Sequence, residues 1–318
     1  MNRNKNKINS LLILLCMLLV NVFLLSGCKT ETNETELNNN KTNFQLIIKD
    51  SLDRSVKIEK KPQRIISLAP SATEILFALG LGDKVFGVTK YCDYPPEAKT
   101  KEVIGGFSDP NMEKILSLNP DLVLATTMHE KAVKDLESVD IPVIVLDAKT
   151  IEGVMENITL VGKATGHEKE ANEVVASMKE KVQKVVEKVK DIPEEDKPTV
   201  YYEVFSEPIM TAGPKTIIHD LITQAGGINI GADAETDYVE YSVEVLLRKN
   251  PEVMIAPDLH GSNTATLENV KKRPGWADIS AVKNGKVYIL EDDLITLPGP
   301  RIVEGLEAIA KVLHPERF

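Results

Sequence analysis

Residues able to do chemistry are few in this chain, and their spacing does not gather them for catalysis. Five His are scattered over 318 residues, with no His-Glu-x-x-His pair and no interval that predicts a metal site or a proton relay. There is no Gly-x-Ser-x-Gly elbow and no phosphate loop, and Gly105-Gly106 and Gly226-Gly227 are too short for a dinucleotide fingerprint. Glu74 stands where a first helical turn is expected and reads as a cap rather than a catalytic acid. Cys16, Cys28 and Cys92 are too far apart for a thiolate zinc site. The expectation is therefore no enzyme, no resident cofactor and no metal. A metal-binding protein would need several His or carboxylates converging from distant segments, which spacing does not show. What remains is non-covalent binding and, at one Cys, covalent modification.

That residue is Cys28. Arg3, Lys5 and Lys7 precede an apolar run from Leu11 to Leu25, interrupted only by Asn21, which is the pattern of a secretory signal. The run is shorter than the roughly 20 apolar residues of a spanning helix. Ser26 and Gly27 directly before Cys28 resemble the bacterial lipoprotein box. This resemblance implies that the Cys28 sulfur receives a diacylglyceryl group and becomes the mature N-terminus. Each buried methylene contributes about 0.8 kcal/mol, so several acyl chains on one Cys suit stable retention. Residues 1–27 are thus expected to be a signal peptide, and the folded part to stand on the extracytoplasmic face of a membrane, held by lipid.

Residues 28–43 are rich in Thr, Asn and Glu and hold only Leu37 to bury, so they read as a disordered tether. Removing residues 1–27 takes away three basic residues and no acid, moving the net charge from −10 to −13. That balance favours solubility and argues against a nucleic-acid partner. With Cys16 removed and Cys28 acylated, Cys92 is alone and no disulfide framework is expected. Cys92 reads as a small packed residue, with a reactive thiol as the alternative.

About 270 residues follow the tether, more than a single core holds comfortably, which points to two lobes. Phe44 to Ile48 and Ser55 to Ile58 read as a hairpin, and Arg64 to Leu68 as an apolar strand. Pro70 to Glu74 opens a helix, with Ser71 or Thr73 as N-cap and Gly80 and Gly82 as its stop. Val85 to Val88, Leu122 to Ala125 and Val143 to Leu146 are short apolar runs alternating with helices such as Met112 to Leu118, as in parallel strands covered on both faces. A second series comprises the strands Val200 to Phe205, Val253 to Ala256 and Val287 to Leu290, with helices at Ile217 to Ala225, Ser242 to Arg248 and Ile302 to Leu313. Between the two series, Val175, Met178, Val182, Val185 and Val189 advance by threes and fours along Glu168 to Lys190. This is one face of a single long helix, too short for a coiled-coil dimer. The fold expected is α/β, with two Rossmann-like lobes (44–166 and 192–318) joined by a spacer helix (167–191) and a ligand cleft between them. A monomer is expected.

The chain resembles the ABC-transporter substrate-binding proteins whose two α/β lobes are joined by one helix and which serve cobalamin, iron–siderophore and haem uptake. The resemblance covers nearly everything from Phe44 to Phe318. It is carried by Asp50-Ser51-Leu52-Asp53-Arg54-Ser55-Val56, Pro62-Gln63-Arg64-Ile65-Ile66-Ser67-Leu68 and Pro70-Ser71-Ala72-Thr73-Glu74-Ile75-Leu76. Asn119-Pro120-Asp121-Leu122-Val123, Arg273-Pro274-Gly275-Trp276 and Pro300-Arg301-Ile302-Val303 add to it. Tyr91-Cys92-Asp93-Tyr94-Pro95-Pro96-Glu97-Ala98 and Gly105-Gly106-Phe107-Ser108 are most similar to the cobalamin type. That likeness implies a corrinoid held between the lobes, with Tyr91 and Phe107 facing it from the first lobe and Met210, Tyr238 and Asp293 from the second. A flat apolar ring with an amide periphery suits aromatic faces and a few polar groups.

The chain departs from the cobalamin pattern in carrying Thr126 and Tyr238 where that type often has Trp; its single Trp276 lies in the Arg-Pro-Gly-Trp motif. A siderophore is the second expectation, since Lys90, His129, His260 and Arg301 could meet an anionic chelate, and haem is the third. The lone His129 is otherwise expected to be solvent-exposed. Glu113 and Glu244, each near the start of a helix, match the two glutamates with which the family docks onto arginines of its permease, which works with an ATPase. Acids in a first turn are also favoured by the helix dipole alone.

Overall fold

The computed structural model describes residues 45–258 and 265–318. The expected signal peptide, Cys28, the tether and His260 lie outside the described residues.

Strands β1 (Leu46–Lys49) and β2 (Ser55–Ile58) form an antiparallel hairpin, with Leu46 opposite Ile58. Its turn is organised by the buried Asp50 carboxylate. That group accepts from the backbone N–H of Leu52 and Arg54, pairs with the Arg54 guanidinium at 2.5 Å, and accepts from Val145 N of a distant strand at 3.1 Å. The Asp-Ser-Leu-Asp-Arg marker thus fastens the hairpin to the first lobe.

The first sheet contains β3 (Ile65–Ser67), β4 (Val85–Val88), β5 (Glu102–Val103), β6 (Leu122–Ala125) and β7 (Val143–Val145), all parallel, in the order β5-β4-β3-β6-β7. Four helices follow these strands: α1 (Pro70–Ala78), α2 (Met112–Ser117), α3 (Glu130–Glu137) and α4 (Ile151–Thr165). Asp121 accepts from Gln63 N and Arg64 N at the start of β3. Arg64 in turn stacks on Phe86 and donates to the Leu118 carbonyl.

The expected cap of α1 is corrected. Ala69 occupies the N-cap position without a side-chain bond, and Pro70 supplies the preset first turn. Thr73 points inward, donating to Ser67 Oγ and the Ala69 carbonyl, so neither Ser71 nor Thr73 caps. Gly80, at φ +72°, ends the turn as expected.

The single spacer helix α5 (Glu168–Val189) falls within one residue of its expected end, and Ala171, Met178, Val185 and Val189 are its buried residues. It folds back on α4 through Gly166, at φ +66°. A Cβ on Gly162 of α4 would come within 2.4 Å of the Ala171 Cβ, so the two helices need glycine to approach this closely.

The second lobe holds a parallel sheet ordered β11-β8-β13-β14 and an antiparallel ribbon ordered β12-β10-β9. In chain order these elements are β8 (Thr199–Tyr202), β9 (Phe205–Ser206), β10 (Ile209–Ala212), α6 (Ile217–Gln224), β11 (Ile228–Asn229), β12 (Tyr238–Glu240), α7 (Val243–Lys249) and β13 (Val253–Asp258). They continue with α8 (Leu267–Lys271), α9 (Ser280–Lys283), β14 (Val287–Glu291), α10 (Asp292–Thr296) and α11 (Ile302–Leu313). Here too the reading is corrected: Val200 to Phe205 is not one strand, because β8 stops at Tyr202 and Phe205 opens the ribbon. Trp276 is core, packed edge-on to Tyr201 with Arg273 above it, and Arg273 pairs with the buried Glu203.

One buried cluster runs from Ile65, Leu122 and Ile144 on the first sheet, through Met178 and Val185 of α5, to Val200, Val253 and Leu306 of the second lobe. The lobes also exchange polar bonds. Asp220 of α6 accepts from Ile151 N at the start of α4 at 2.7 Å. Glu74 of α1 accepts from Arg301 Nε at 3.0 Å and Nη2 at 2.6 Å. A Cβ on Gly299 would sit 2.7 Å from Glu74 Oε2, so a larger residue there would have to displace the Glu74 carboxylate. Burial pushes the Glu74 carboxyl upward, and the bonds to Arg301 oppose that. Glu74 is therefore an inter-lobe partner and not the cap expected. Among the described residues no helix is long and apolar enough to cross a membrane.

Glu74→Ala should lower stability by about 3 kcal/mol, because it removes the nearest carboxylate and the two hydrogen bonds of a largely buried guanidinium, and Glu74→Leu with Arg301→Met should recover most of that loss. Urea unfolding followed by circular dichroism checks this: an unchanged midpoint in the single variant would show that the pair contributes nothing net.

Candidate ligand cleft

Crevices in open α/β sheets form at the carboxyl ends of strands where the order reverses. In the first sheet this point lies beside β3, whose neighbours β4 and β6 are reached in opposite directions; in the second it lies beside β8, between β11 and β13. Glu74 follows the end of β3, and Arg301 lies ten residues after β14, the strand at the edge of the second sheet, so their bond joins the two lobes beside the first of these points. A cavity of about 380 Å³ at the junction is lined by Glu74, Phe77 and Tyr94 from one lobe and Pro300 and Arg301 from the other.

On the first lobe, Tyr91 follows β4 and is 55% exposed, with the Lys90 ammonium 4.9 Å from its ring centroid. Cys92 beside it is buried, within 3.2 Å of the Thr73 and Thr89 hydroxyls. Burial pushes its thiol up, so the packed reading fits and the reactive one does not. Phe107 is half-buried on a tight loop closed by the bridge between Gly105 and Pro110. Gly105 adopts φ +120°, and a Cβ there would meet the Asp109 carbonyl at 2.8 Å and Asn111 N at 2.9 Å. Lys90 N donates to the Gly105 carbonyl at 3.0 Å, tying this loop to the end of β4.

His129 departs most from expectation. It is 3% exposed rather than solvent-facing, because the turn Thr126-Thr127-Met128-His129 is a capping box with imidazole in the place usually held by Glu or Gln. Burial holds its pKa below the usual imidazole value. A Thr followed three residues later by a hydrogen-bonding side chain is the signal that could have revealed it.

On the second lobe, Met210 pairs with Phe205 on one side and Glu240 on the other, and Ala212 pairs with Tyr238. Directly opposed residues share a face, so Phe205, Met210, Tyr238 and Glu240 stand on one side of the ribbon. The other side carries buried Thr211 and Ile209, which packs on the core of the second lobe. Tyr238 is 51% and Phe205 58% exposed. Lys149, just before α4, lies 3.5 Å from Asp237, so the start of β12 stands beside the first lobe. Sequence reading missed Phe205 by running it into the preceding strand; Glu207-Pro208, a turn signal between two apolar stretches, was the available clue.

Asp293 lies 3.8 Å from Arg301, and Glu291 is equally close. Arg301 also stacks on Tyr94 at 3.8 Å, so its charge faces three carboxylates and an aromatic ring. Among the described residues no group of three or more His, Cys, Asp or Glu could hold a metal ion. Glu113 and Glu244 are exposed and occupy the same helical position, second after an N-cap whose side chain accepts a backbone bond: Asn111 for α2 and Ser242 for α7. The Ser242 hydroxyl holds the Glu244 carboxyl below its usual value.

The family model described as periplasmic binding protein matches residues 65–294. An uncharacterized ABC transporter substrate-binding lipoprotein of Bacillus subtilis (strain 168), YvrC, is 37% identical over 95% of this chain and 96% of its own length. A cobalamin-binding protein of Halobacterium salinarum (strain ATCC 29341 / DSM 671 / R1) is 32% identical over 85% of this chain and 74% of its own. Among solved structures, a possible iron-binding (periplasmic solute-binding) protein from Staphylococcus epidermidis ATCC 12228 superposes with a TM-score of 0.71, at 33% identity. It covers 80% of this chain and 100% of that one. The chain belongs to the periplasmic binding protein family, as a substrate-binding protein of the ABC-importer type and not an enzyme.

Proposed function

We propose that the protein is a lipid-anchored receptor that captures cobalamin or a related corrinoid between its lobes and delivers it to an ABC importer. The carrying observation is that each lobe presents an aromatic surface, exposed Tyr91 with half-buried Phe107 on the first, and exposed Phe205 and Tyr238 with half-buried Met210 on the second. A corrinoid presents a flat ring system to such faces, and its amide periphery needs only a few polar groups, among which we place Asp293. An anionic chelate wants unpaired cations. Arg301 is neutralised by Glu74 and His129 is buried with its imidazole held toward the neutral form, which leaves Lys90, exposed over the Tyr91 ring, as the cation a siderophore would meet on this rim. The cobalamin-binding relative supports the corrinoid. Cys28 carries the diacylglyceryl anchor in this reading, the receptor acts as a monomer outside the membrane, and residues 28–43 are its tether.

Calorimetric titration of the full chain in detergent with cyanocobalamin, with a ferric siderophore and haemin as comparators, tests the ligand. One-to-one binding of cyanocobalamin is expected, and Tyr91→Ala or Phe107→Ala should each weaken it by about tenfold, or 1.4 kcal/mol. Heat from the siderophore alone would replace the ligand while retaining the receptor.

Glu113 and Glu244 dock the two lobes onto the permease. An exposed ion pair contributes only about 0–1 kcal/mol, so their work is to orient and to speed encounter. Glu113→Ala combined with Glu244→Ala should abolish uptake by cells while leaving ligand affinity intact. Equal loss of affinity in the purified double variant would sink the docking role.

A further inference from the structure

Thr126 follows β6 and Phe107 belongs to the loop before α2, yet one side chain ties both positions together. His129 Nδ1 lies 3.0 Å from Thr126 N, a group that can only donate, so Nδ1 is an unprotonated acceptor. Nε2 lies 2.8 Å from the Phe107 carbonyl, which can only accept, so Nε2 carries the proton. The imidazole also meets the Phe107 ring edge-on, with centroids 4.9 Å apart at 74°. Backbone, carbonyl and ring of the two segments are thereby set through one neutral tautomer.

We propose that His129 is a positioning residue, strapping Phe107 to the end of β6 in the orientation that meets ligand, and that protonation of its imidazole releases the strap. The proposal rests on Phe107 being ligand-facing, as argued above. An imidazolium has two donors and no acceptor, so the bond from Thr126 N must break while the one to Phe107 can persist, and the new Nδ1–H finds its acceptor in the Thr126 hydroxyl, 3.0 Å away, and not in the amide. Burial opposes that charge, so the strap holds at neutral pH and fails only in acid. The charged groups around the ring are Asp109 from the Phe107 loop and Lys131 and Asp135 from α3, which line a cavity of about 210 Å³ with it. Glu130, next in the chain, is paired with Lys134, and Lys90 at the end of β4 leans over Tyr91.

The Thr126 amide reports the strap directly, and the full chain, isotope-labelled in detergent, allows it to be read by nuclear magnetic resonance. The expected results are an Nε2–H tautomer for His129 at neutral pH and an exchange-protected Thr126 amide. Protection should be lost in His129→Ala and, in the unaltered protein, as acid protonates His129. His129→Gln, which keeps an acceptor and a donor but does not titrate, should hold its protection in acid. Cyanocobalamin affinity should fall by about tenfold in His129→Ala and in acid, and stay level with pH in His129→Gln. A Thr126 amide indifferent to both acid and His129→Ala, or an Nδ1–H tautomer, would overturn the strap. Protection that behaves as expected while cyanocobalamin binds no form would support the strap and overturn the ligand reading instead.

Discussion

The rest of the structure depends on a hydrophobic core that does not stop at the lobe boundary. Buried side chains continue from the first sheet through α5 into the second, and residues Asn43–Phe318 form one compact unit. Separating the lobes would expose apolar surface at roughly 25 cal/mol per Å², and the contact of Gly162 with Ala171 leaves α4 and α5 little room to slide. For the receptor proposed above, such a base favours small rocking of the rims, so that ligand faces nearly in place beforehand would limit the entropic cost of binding.

Electrostatics at the junction follow the same economy. Glu74 and Arg301 bury opposite charges against each other, and stacking on Tyr94 covers the guanidinium. The pair joins the two lobes, and with Glu291 and Asp293 also beside Arg301 the junction offers no uncompensated positive charge to an anion. In the proposed receptor, specificity then falls to shape and to aromatic surface, carried on short, well-braced segments: the loop closed at Gly105 and the three-stranded ribbon.

Much of the fold was legible because it rests on periodicity. The spacer helix could be read from threes and fours, and the parallel strands from short apolar runs between helices. Glu113 and Glu244 read as lying near helix starts by their likeness to the family pattern, and Asn111 and Ser242 cap those helices. Other features depend on distant partners that spacing does not carry. The cap of α1 was misread because Thr73 is drawn inward by Ser67. Glu74 was taken for a local cap because Arg301 is 227 residues away. Phe205 vanished into an apolar run whose break depends on pairing with Met210. His129 looked solitary because its bonds, to Phe107 and to a backbone amide, leave no charge pattern in the sequence.

Cys92 has a practical corollary. It is the one thiol among the described residues, shielded beneath two threonine hydroxyls and held in its protonated form. Thiol-directed alkylating reagents act on accessible thiolates, so the described residues offer them no target. A cysteine engineered onto either rim would stand without competition from Cys92, and a pair, one per rim, would accept distance probes without first stripping the native thiol. The packing that retired Cys92 from chemistry leaves the molecule open to spectroscopic rulers.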